Sequence, residues 1–276
     1  MALLAVDMGG TYLRWFYSNG AIEKQGTISS KGIEPADFII EMTKKQPDIE
    51  RVGLSIAAQV SDGKIISSPN IDIRKRDIAS YIPKKIRFSI ENDANAAALA
   101  EADYFGASDI VIINIGTGFG CAAITGGKLL RGSHNLAFEA GHMPFASSPI
   151  RCGCGKNNCI ELYASGIGIK KWLKYYRLEN DIKLAKMIES KKEPYRQIGK
   201  NFIEATLHAC ASVTTLLDPE LLILGGGIVA SEPFLIDIIS QRLIDYALPQ
   251  TAKKIKIKAS ALENSSLCGA KIIASL

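Results

Sequence analysis

Two stretches of the chain share one pattern, in which an apolar run ends in a glycine turn and a hairpin follows. The run Leu3–Val6 stops at Asp7-Met-Gly-Gly-Thr11, which predicts a buried strand that enters a tight turn. Further along, Asp109–Ile115 stops at Gly116-Thr-Gly-Phe-Gly120 in the same way. Two alternating segments follow each turn and predict a hairpin in the same sheet. The repetition predicts two similarly built α/β lobes.

The remaining periodicity predicts further helices and strands around these repeats. The alanine-rich segment Ala94–Tyr104 has high helix propensity and stops at Gly106. The other predicted helices cover Pro35–Lys45, parts of Ser165–Leu217 and Asn264–Leu276, and the other strands cover Arg51–Ile56, Gly63–Ile66, Ile86–Ile90, Leu221–Leu224 and Lys254–Ala259. A long helix is predicted to bury one stripe of apolar residues: Ile198, Phe202, Ala205, Ala209, Val213 and Leu216. Residues 1–106 with the terminal helix 264–276 are expected to form the first lobe, and residues 107–263 the second.

Composition is that of an ordinary globular protein, with 47% hydrophobic and 22% charged residues over 276 positions. The net charge of +5 is modest for this length, and no pattern of aromatic residues accompanies the basic ones. No nucleic-acid partner is therefore expected. No apolar run is long enough to span a membrane, and no signal peptide opens the chain, so a cytoplasmic location is expected. Three of the six cysteines (Cys121, Cys210 and Cys268) are scattered and are interpreted as buried small hydrophobic residues.

One histidine and three cysteines lie close together in the sequence, in the order His142, Cys152, Cys154 and Cys159. Zinc prefers four nitrogen or sulfur ligands in a tetrahedron, and closely spaced cysteines in a glycine-rich loop supply them. Glycine at 153 and 155 allows the chain to turn tightly between the thiols. The spacing predicts a structural zinc site, since all four positions are protein ligands.

Acidic residues flank this loop on both sides. Glu139 lies three residues before His142, and Glu161 lies two residues after Cys159. Carboxylates that accept two sugar hydroxyls make strong, directional contacts, so both are candidates for binding a polyol. The alternative is that both are ordinary surface charges.

Three strand ends open into glycine turns, and these are the candidate nucleotide-binding residues: Asp7, Gly9, Gly10 and Thr11; Gly116, Thr117 and Gly118; and Gly225 and Gly226. Glycine lets backbone N–H groups approach phosphate oxygens, and successive N–H groups form an anion site. Asp7 suits a Mg²⁺ ion and its water shell beside the phosphates of ATP. Any one of these turns could be a plain tight turn, but three together favour a nucleotide.

Asp93 is the candidate catalytic residue. An aspartate at a helix N-terminus is often only a cap. Its functional alternative is a carboxylate that orients an attacking hydroxyl and takes its proton, which suits phosphoryl transfer because alignment and charge stabilisation supply most of that catalysis.

In this order, the motifs resemble those of the ROK family of sugar kinases and sugar-responsive repressors: Asp7-Met-Gly-Gly-Thr11, Glu91-Asn-Asp-Ala-Asn-Ala96, Gly116-Thr-Gly-Phe-Gly120, Glu139-Ala-Gly-His142, Cys152-Gly-Cys-Gly…Cys159-Ile-Glu161 and Leu224-Gly-Gly-Gly227. The resemblance spans nearly the whole chain. It implies an α/β fold of the actin-like ATPase (ribonuclease H-like) class, with two lobes around a central cleft that holds ATP and, deeper, the sugar. It also implies a homodimer.

The resemblance also implies roles for individual residues. Asp93 resembles the catalytic base, and the implied sugar ligands are Asn70, Asn92, Asp93, Glu139, His142 and Glu161. His142 would serve both zinc and sugar through its two ring nitrogens. The chain departs from the family at Ile56-Ala-Ala-Gln-Val60, where an apolar-Pro-Gly turn is usual, and at Asn158, which replaces the last glycine of the zinc loop. Because asparagine tolerates left-handed geometry better than other non-glycine residues, the zinc loop is expected to survive this change.

These features predict transfer of the γ-phosphoryl group of ATP to a hexose, with glucose and its 6-hydroxyl as the first candidate. The alternatives are a kinase for N-acetylglucosamine, N-acetylmannosamine or fructose, and a sugar sensor without activity. The first phosphate turn begins at Asp7, which leaves no room for a preceding helix-turn-helix and argues against a DNA-binding repressor. An ATPase of the chaperone or actin kind would not need the zinc loop or its acids.

Overall fold

The computed structural model describes residues 1–68, 71–179 and 183–276. They form two compact units. The first comprises Met1–Gly106, Leu129–Ala137 and Ala261–Leu276, and the second comprises Ala107–Lys128 and Phe138–Ser260. This differs from the sequence-based division in two places, because residues 129–137 pack with the first unit and the C-terminal segment of that unit begins at Ala261 instead of at 264.

The first unit is built on a five-stranded sheet in the order β3-β2-β1-β4-β7. Its strands are β1 (Ala2–Met8), β2 (Tyr12–Ser18), β3 (Glu23–Ser29), β4 (Ile49–Ile56) and β7 (Arg87–Asn92), with a separate hairpin of β5 (Gln59–Ser61) and β6 (Lys64–Ser67). Its helices are α1 (Pro35–Lys45), α2 (Asp93–Phe105) and α9 (Ser265–Ser275). The strands β1, β2 and β3 are antiparallel, whereas β1, β4 and β7 are parallel.

The second unit repeats this arrangement in a sheet of order β10-β9-β8-β11-β12. The strands are β8 (Ile110–Ile115), β9 (Phe119–Thr125), β10 (Lys128–Leu129), β11 (Leu221–Gly225) and β12 (Lys256–Ala259). The helices are α3 (Gly166–Tyr175), α4 (Leu184–Glu189), α5 (Tyr195–Leu217), α6 (Gly227–Ser231), α7 (Phe234–Arg242) and α8 (Pro249–Ala252). The predicted repeat is confirmed, since β8 pairs antiparallel with β9 and parallel with β11.

Helices α2 and α9 pack closely in the first unit because small residues meet at their contact. A Cβ atom on Gly269 would lie 1.9 Å from the carbonyl oxygen of Ala96. On the sheet beside α9, a Cβ atom on Gly53 of β4 would lie 2.1 Å from the carbonyl oxygen of Ala270. Only glycine fits at either position. The alanine-rich sequence of α2 therefore serves close packing as well as helix propensity.

The helix stripe predicted for α5 is confirmed at five of its six positions. Ile198, Phe202, Ala205, Ala209 and Val213 are buried, whereas Leu216 is 78% exposed. The prediction was wrong at Leu216, which lies in the last turn before the helix ends at Asp218. None of the described helices is both long enough and apolar enough to cross a bilayer.

Candidate functional site

A row of polar side chains crosses the parallel strands of the first unit. Asp7 is in register with Ser55 on β4, and Ser55 is in register with Glu91 on β7. Neighbours in register project from the same face of a sheet, so the three side chains line up. All three are buried, and the Ser55 hydroxyl donates a hydrogen bond of 3.0 Å to Asp7 Oδ1.

Burial dominates the electrostatics of Asp7. Removal of the carboxylate from water raises the pKa of Asp7, although the hydrogen bond from Ser55 and the charge of Arg14 oppose the shift. The Arg14 guanidinium is 3.5 Å from Asp7 Oδ2, a long contact that compensates the negative charge only in part. Asp7 is therefore a buried acid that a further cation would stabilise as the carboxylate.

The next row of the same sheet carries Asn92, which is the N-cap of α2. Asn92 Oδ1 accepts hydrogen bonds from the backbone N–H groups of Ala94 and Asn95, at 2.9 and 3.3 Å. Its Nδ2 donates to the carbonyl oxygen of Ala58 at 3.1 Å. Asn92 is therefore the N-cap of α2, and the alternative interpretation of Asp93 as the cap was wrong.

Asp93 is the first residue of α2, and its Oδ1 accepts a hydrogen bond of 2.9 Å from the N–H of Ala94. This position favours a carboxylate, because the partial positive charge of the helix N-terminus lies beside it. Asn70, the other implied sugar ligand of this unit, lies outside the described residues.

The second unit brings His142, Cys152, Cys154 and Cys159 together. Their ligand atoms all lie within 4.8 Å of one another, with His142 Nδ1 3.6 Å from Cys152 Sγ and Cys154 Sγ 3.4 Å from Cys159 Sγ. A tetrahedral zinc ion with Zn–S bonds of about 2.3 Å holds its ligands about 3.8 Å apart. The donor set and its spacing therefore fit zinc, with Nδ1 as the metal-facing nitrogen.

Backbone hydrogen bonds hold the zinc-loop residues from two sides. Phe145 donates to the carbonyl of Asn158 at 2.7 Å, and Ile160 donates to that of Met143 at 3.0 Å. These bonds align the chain after His142 with the chain around Cys159. The turn between the thiols needs Gly155, which has φ +90°. Neither Gly153 nor Asn158 has a positive φ, and the four ligand residues lie together with asparagine at position 158.

Glu161 joins this cluster to the second glycine turn. Its Oε2 accepts a hydrogen bond of 3.2 Å from the N–H of Phe119, and its Oε1 lies 3.4 Å from Cys152 Sγ. A Cβ atom on Gly118 would lie 3.0 Å from Oε2, so glycine leaves room for the carboxylate. Glu139 is exposed, and its carbonyl accepts from the N–H of His142 at 2.9 Å. The two acids flank the cluster as the sequence order indicates.

The glycine turns of the second unit lie next to each other. A Cβ atom on Gly116 would lie 3.7 Å from Gly227 N, and one on Gly226 would lie 2.5 Å from the carbonyl oxygen of Ile115. Gly226 has φ +88°, a conformation that L side chains rarely adopt. The turn containing Thr117 is anchored to the start of α3, because the N–H of Ile167 donates a hydrogen bond of 2.9 Å to the carbonyl of Thr117.

Phe138 stores backbone strain directly before Glu139. It has φ +64°, which is rare for a bulky side chain. Glu139 follows with φ −71° and ψ 52°, and the N–H of Ala140 donates to the carbonyl of Phe138 at 2.7 Å. These values describe an inverse γ-turn that bends the chain at Glu139.

This strain gives a stability prediction. We expect Phe138→Gly to be more stable than Phe138→Ala by about 1 kcal/mol, because only glycine adopts a positive φ without cost. In α2, where φ is negative, Ala102→Gly should instead cost about 1 kcal/mol relative to the wild type. Urea denaturation of the three variants tests this, and equal stability of the two Phe138 variants would contradict it.

The remaining cysteines and histidines divide as follows. Cys121 and Cys210 are buried, as predicted, and burial raises the pKa of Cys210 to about 12. Cys268 is only half-buried, so the interpretation was wrong there. His208 packs against Phe145 with ring centroids 5.8 Å apart, and His134 lies in a loop.

Two polar residues of this region were missed from the sequence. Ser55 is the polar residue in the buried second half of β4, residues 52–56, and that signal could have identified it. Arg131 forms an ion pair of 2.8 Å with the buried Glu91. It follows the second hairpin in a loop, where no local pattern distinguishes it from other basic residues.

Comparison with known proteins identifies the family of this chain. The family model described as "ROK family" matches residues 3–276. The chain is 29% identical to the glucokinase of Thermotoga maritima, over 99% of this chain and 97% of that protein. It is 28% identical to an N-acetylmannosamine kinase of Vibrio cholerae, over 85% of this chain and 87% of that protein.

A solved ROK family glucokinase from Streptomyces griseus, in complex with glucose and AMPPNP, matches with a TM-score of 0.77 and 23% identity, over 100% of this chain and 99% of that one. The chain therefore has the actin-like ATPase fold that its motifs predicted, and it belongs to the ROK family.

Proposed function

We propose that this protein is an ATP-dependent hexose kinase that phosphorylates glucose at its 6-hydroxyl. The observation that carries the proposal is the position of Asp93 at the start of α2, one residue after the cap and beside the Asp7 row of the same sheet. The glucokinase of Thermotoga maritima, which is related over its whole length, supports the choice of reaction and sugar.

In the reaction, the hydroxyl oxygen of the sugar attacks the γ-phosphorus of ATP. A bond forms between them, the bond from the γ-phosphorus to the bridging oxygen breaks, and ADP leaves with that electron pair. Asp93 takes the hydroxyl proton. Because the transition state is loose, the carboxylate mainly aligns the acceptor and receives the proton late. The partial positive charge of the helix N-terminus lies beside this carboxylate and attracts it electrostatically.

The nucleotide is assigned to the glycine turns. The candidate residues are Gly9, Gly10, Thr11, Gly116, Thr117, Gly118, Gly225 and Gly226. Their backbone N–H groups suit phosphate oxygens. Asp7 would hold Mg²⁺ through water, and the ion would neutralise phosphate charge. The raised pKa of Asp7 supports this role, because a buried acid with too little positive charge around it favours a cation.

The candidate sugar-binding residues are Asn92, Glu139, His142 and Glu161. The carboxylates suit paired hydroxyl groups. Zinc is assigned to His142, Cys152, Cys154 and Cys159, where it would tie the loop that carries the two acids. The ion would be structural. A cytoplasmic location follows from the use of ATP as the donor.

The test of substrate is ADP release with Mg²⁺ and ATP across glucose, mannose, fructose, N-acetylglucosamine and N-acetylmannosamine. We expect the highest kcat/KM with glucose. Preference for an N-acetylhexosamine would reassign the sugar, an outcome that the relative from Vibrio cholerae makes specific. Sugar binding without any ADP release would indicate a sensor without activity.

The zinc assignment predicts a linked loss of metal and sugar affinity. We expect Cys154→Ser to bind less than one zinc ion per chain and to raise the KM for hexose by roughly 10-fold or more, because a loosened loop no longer fixes Glu161 and Glu139. Cys268→Ser is the matched control, since that cysteine is half-buried and lies on α9 of the other unit. Elemental analysis with steady-state kinetics tests this, and full zinc content in Cys154→Ser would refute the ligand assignment.

A further inference from the structure

We propose that Arg131 is a positioning residue for phosphoryl transfer and that it acts through Glu91 on the first turn of α2. The proposal rests on the proposed function, because Asp93 begins that helix. Arg131 belongs to the segment 129–137, which packs with the first unit although the chain before and after it belongs to the second.

Glu91 is a buried carboxylate with four donors. Its Oε2 accepts from Arg131 Nε at 3.0 Å and from Arg131 Nη2 at 2.8 Å. Its Oε1 accepts from the backbone N–H of Asn92 at 3.1 Å and from Asn95 Nδ2 at 3.0 Å. Glu91 is 4% exposed, so the guanidinium supplies the positive charge that this buried anion requires.

The other oxygen of Glu91 holds the residues on either side of Asp93. Asn92 precedes Asp93 and caps the helix, and Asn95 follows it within the first turn. If the guanidinium were removed, the buried carboxylate would lose two of its four donors and its compensating charge, and its bonds to Asn92 and Asn95 would change. A small displacement of Asp93 is sufficient to slow a reaction that depends on alignment.

The segment that carries Arg131 is itself anchored. The N–H of Ala137 donates to the carbonyl of Arg131 at 3.1 Å, and Asn135 Nδ2 donates to the carbonyl of Val60 at 2.5 Å. Asn135 has φ +56°, a conformation that asparagine tolerates better than most residues. Asn92 holds the carbonyl of Ala58, so Asn135 and Asn92 fix the backbone on both sides of Gln59. The guanidinium is therefore presented to Glu91 by an ordered loop.

The experiment compares Arg131→Ala and Arg131→Lys with the wild type. We expect Arg131→Ala to lower kcat by roughly 10- to 100-fold while the KM for Mg·ATP changes by less than about 2-fold, because alignment is lost and nucleotide contacts remain. Arg131→Lys should be intermediate, since a lysine cannot make the two-pronged contact. Added guanidinium ion, below denaturing concentrations, should restore part of the activity of Arg131→Ala.

A second readout does not depend on turnover. Hydrogen exchange at the amides of Ala94 and Asn95, which bond to the Asn92 cap, should become faster in Arg131→Ala and stay unchanged in α1. Arg242→Ala is the matched control, because Arg242 forms an ion pair of 2.9 Å with Glu204 in the second unit at similar exposure. It should change neither kcat nor exchange in α2.

Two results would overturn the proposal: a kcat within about 2-fold of the wild type in Arg131→Ala, or faster exchange throughout the unit with no rescue by guanidinium. Absence of sugar phosphorylation by the wild type would instead refute the proposed function. The exchange measurement would still decide whether Arg131 orders the start of α2.

Discussion

Asp93→Asn is expected to lower kcat for hexose phosphorylation between about 100-fold and 10,000-fold, the range that loss of a general base produces. Asparagine has the same shape as aspartate, and the N-cap of α2 is Asn92, so the helix should remain capped. The affinity for Mg·ATP should stay near the wild-type value, because the glycine turns are unchanged. Steady-state kinetics and calorimetric titration with a non-hydrolysable ATP analogue measure the two quantities.

Asp103→Asn is the control for this substitution. Asp103 is exposed in the last turn of the same helix and should change neither kcat nor nucleotide affinity. Turnover by Asp93→Asn at more than about a tenth of the wild-type rate would remove Asp93 as the proton acceptor.

Asp7→Asn is expected to stabilise the protein by roughly 1 kcal/mol and to lower kcat/KM for Mg·ATP by about 100-fold or more. Asparagine removes the buried charge and can still accept the hydrogen bond from Ser55, so folding no longer desolvates a carboxylate. The same change removes the acceptor for the water shell of Mg²⁺. Stability and activity should therefore move in opposite directions.

The pH dependence of stability follows from the direction of the Asp7 pKa shift. The pKa is higher in the folded state than the ordinary value of 3.8, so the folded state binds more protons in the window between the two values. The contribution of Asp7 to stability is therefore greatest below about pH 4 and falls as the pH rises through the folded-state pKa. The stability difference between Asp7→Asn and the wild type should grow across that window.

Asp109 is a control for Asp7, because its pKa is shifted in the opposite direction. Hydrogen bonds from the N–H of Gly126 and the hydroxyl groups of Ser108 and Thr125 lower the pKa of Asp109. Its contribution to stability is present above the unfolded-state pKa and is lost as the pH falls, so Asp109→Asn should destabilise the protein near neutral pH. Denaturant titrations over a pH series test both, and a lower stability of Asp7→Asn at neutral pH would contradict the account.

Segments with strong hydrophobic periodicity, or with a proline or glycine at their ends, could be predicted from the sequence. The helix over Pro35–Lys45 has the predicted bounds, and α2 ends at Gly106, whose φ is +61°. A proline at the start and a left-handed glycine at the end are local signals that need no tertiary information. The duplicated strand-turn-hairpin pattern likewise predicted the two sheets.

What could not be predicted depends on contacts between residues distant in sequence. The short strand β5 (Gln59–Ser61) lacks a periodic run, and the carbonyl groups on either side of Gln59 accept hydrogen bonds from the distant residues Asn92 and Asn135. The pairing of Arg131 with Glu91 joins positions forty apart. The sequence also could not decide whether Asn92 or Asp93 is the N-cap, because Asn and Asp are equally good caps. The backbone conformation assigns the cap to Asn92.

The most direct test of the central proposal is a ³¹P NMR spectrum of the wild-type protein with Mg²⁺, ATP and glucose. The account predicts that the ATP signals convert to those of ADP and, in equal amount, to a single sugar phosphate with phosphorus coupled to the C6 protons. ADP with inorganic phosphate and no sugar phosphate, or unchanged ATP with every hexose and N-acetylhexosamine, would contradict it.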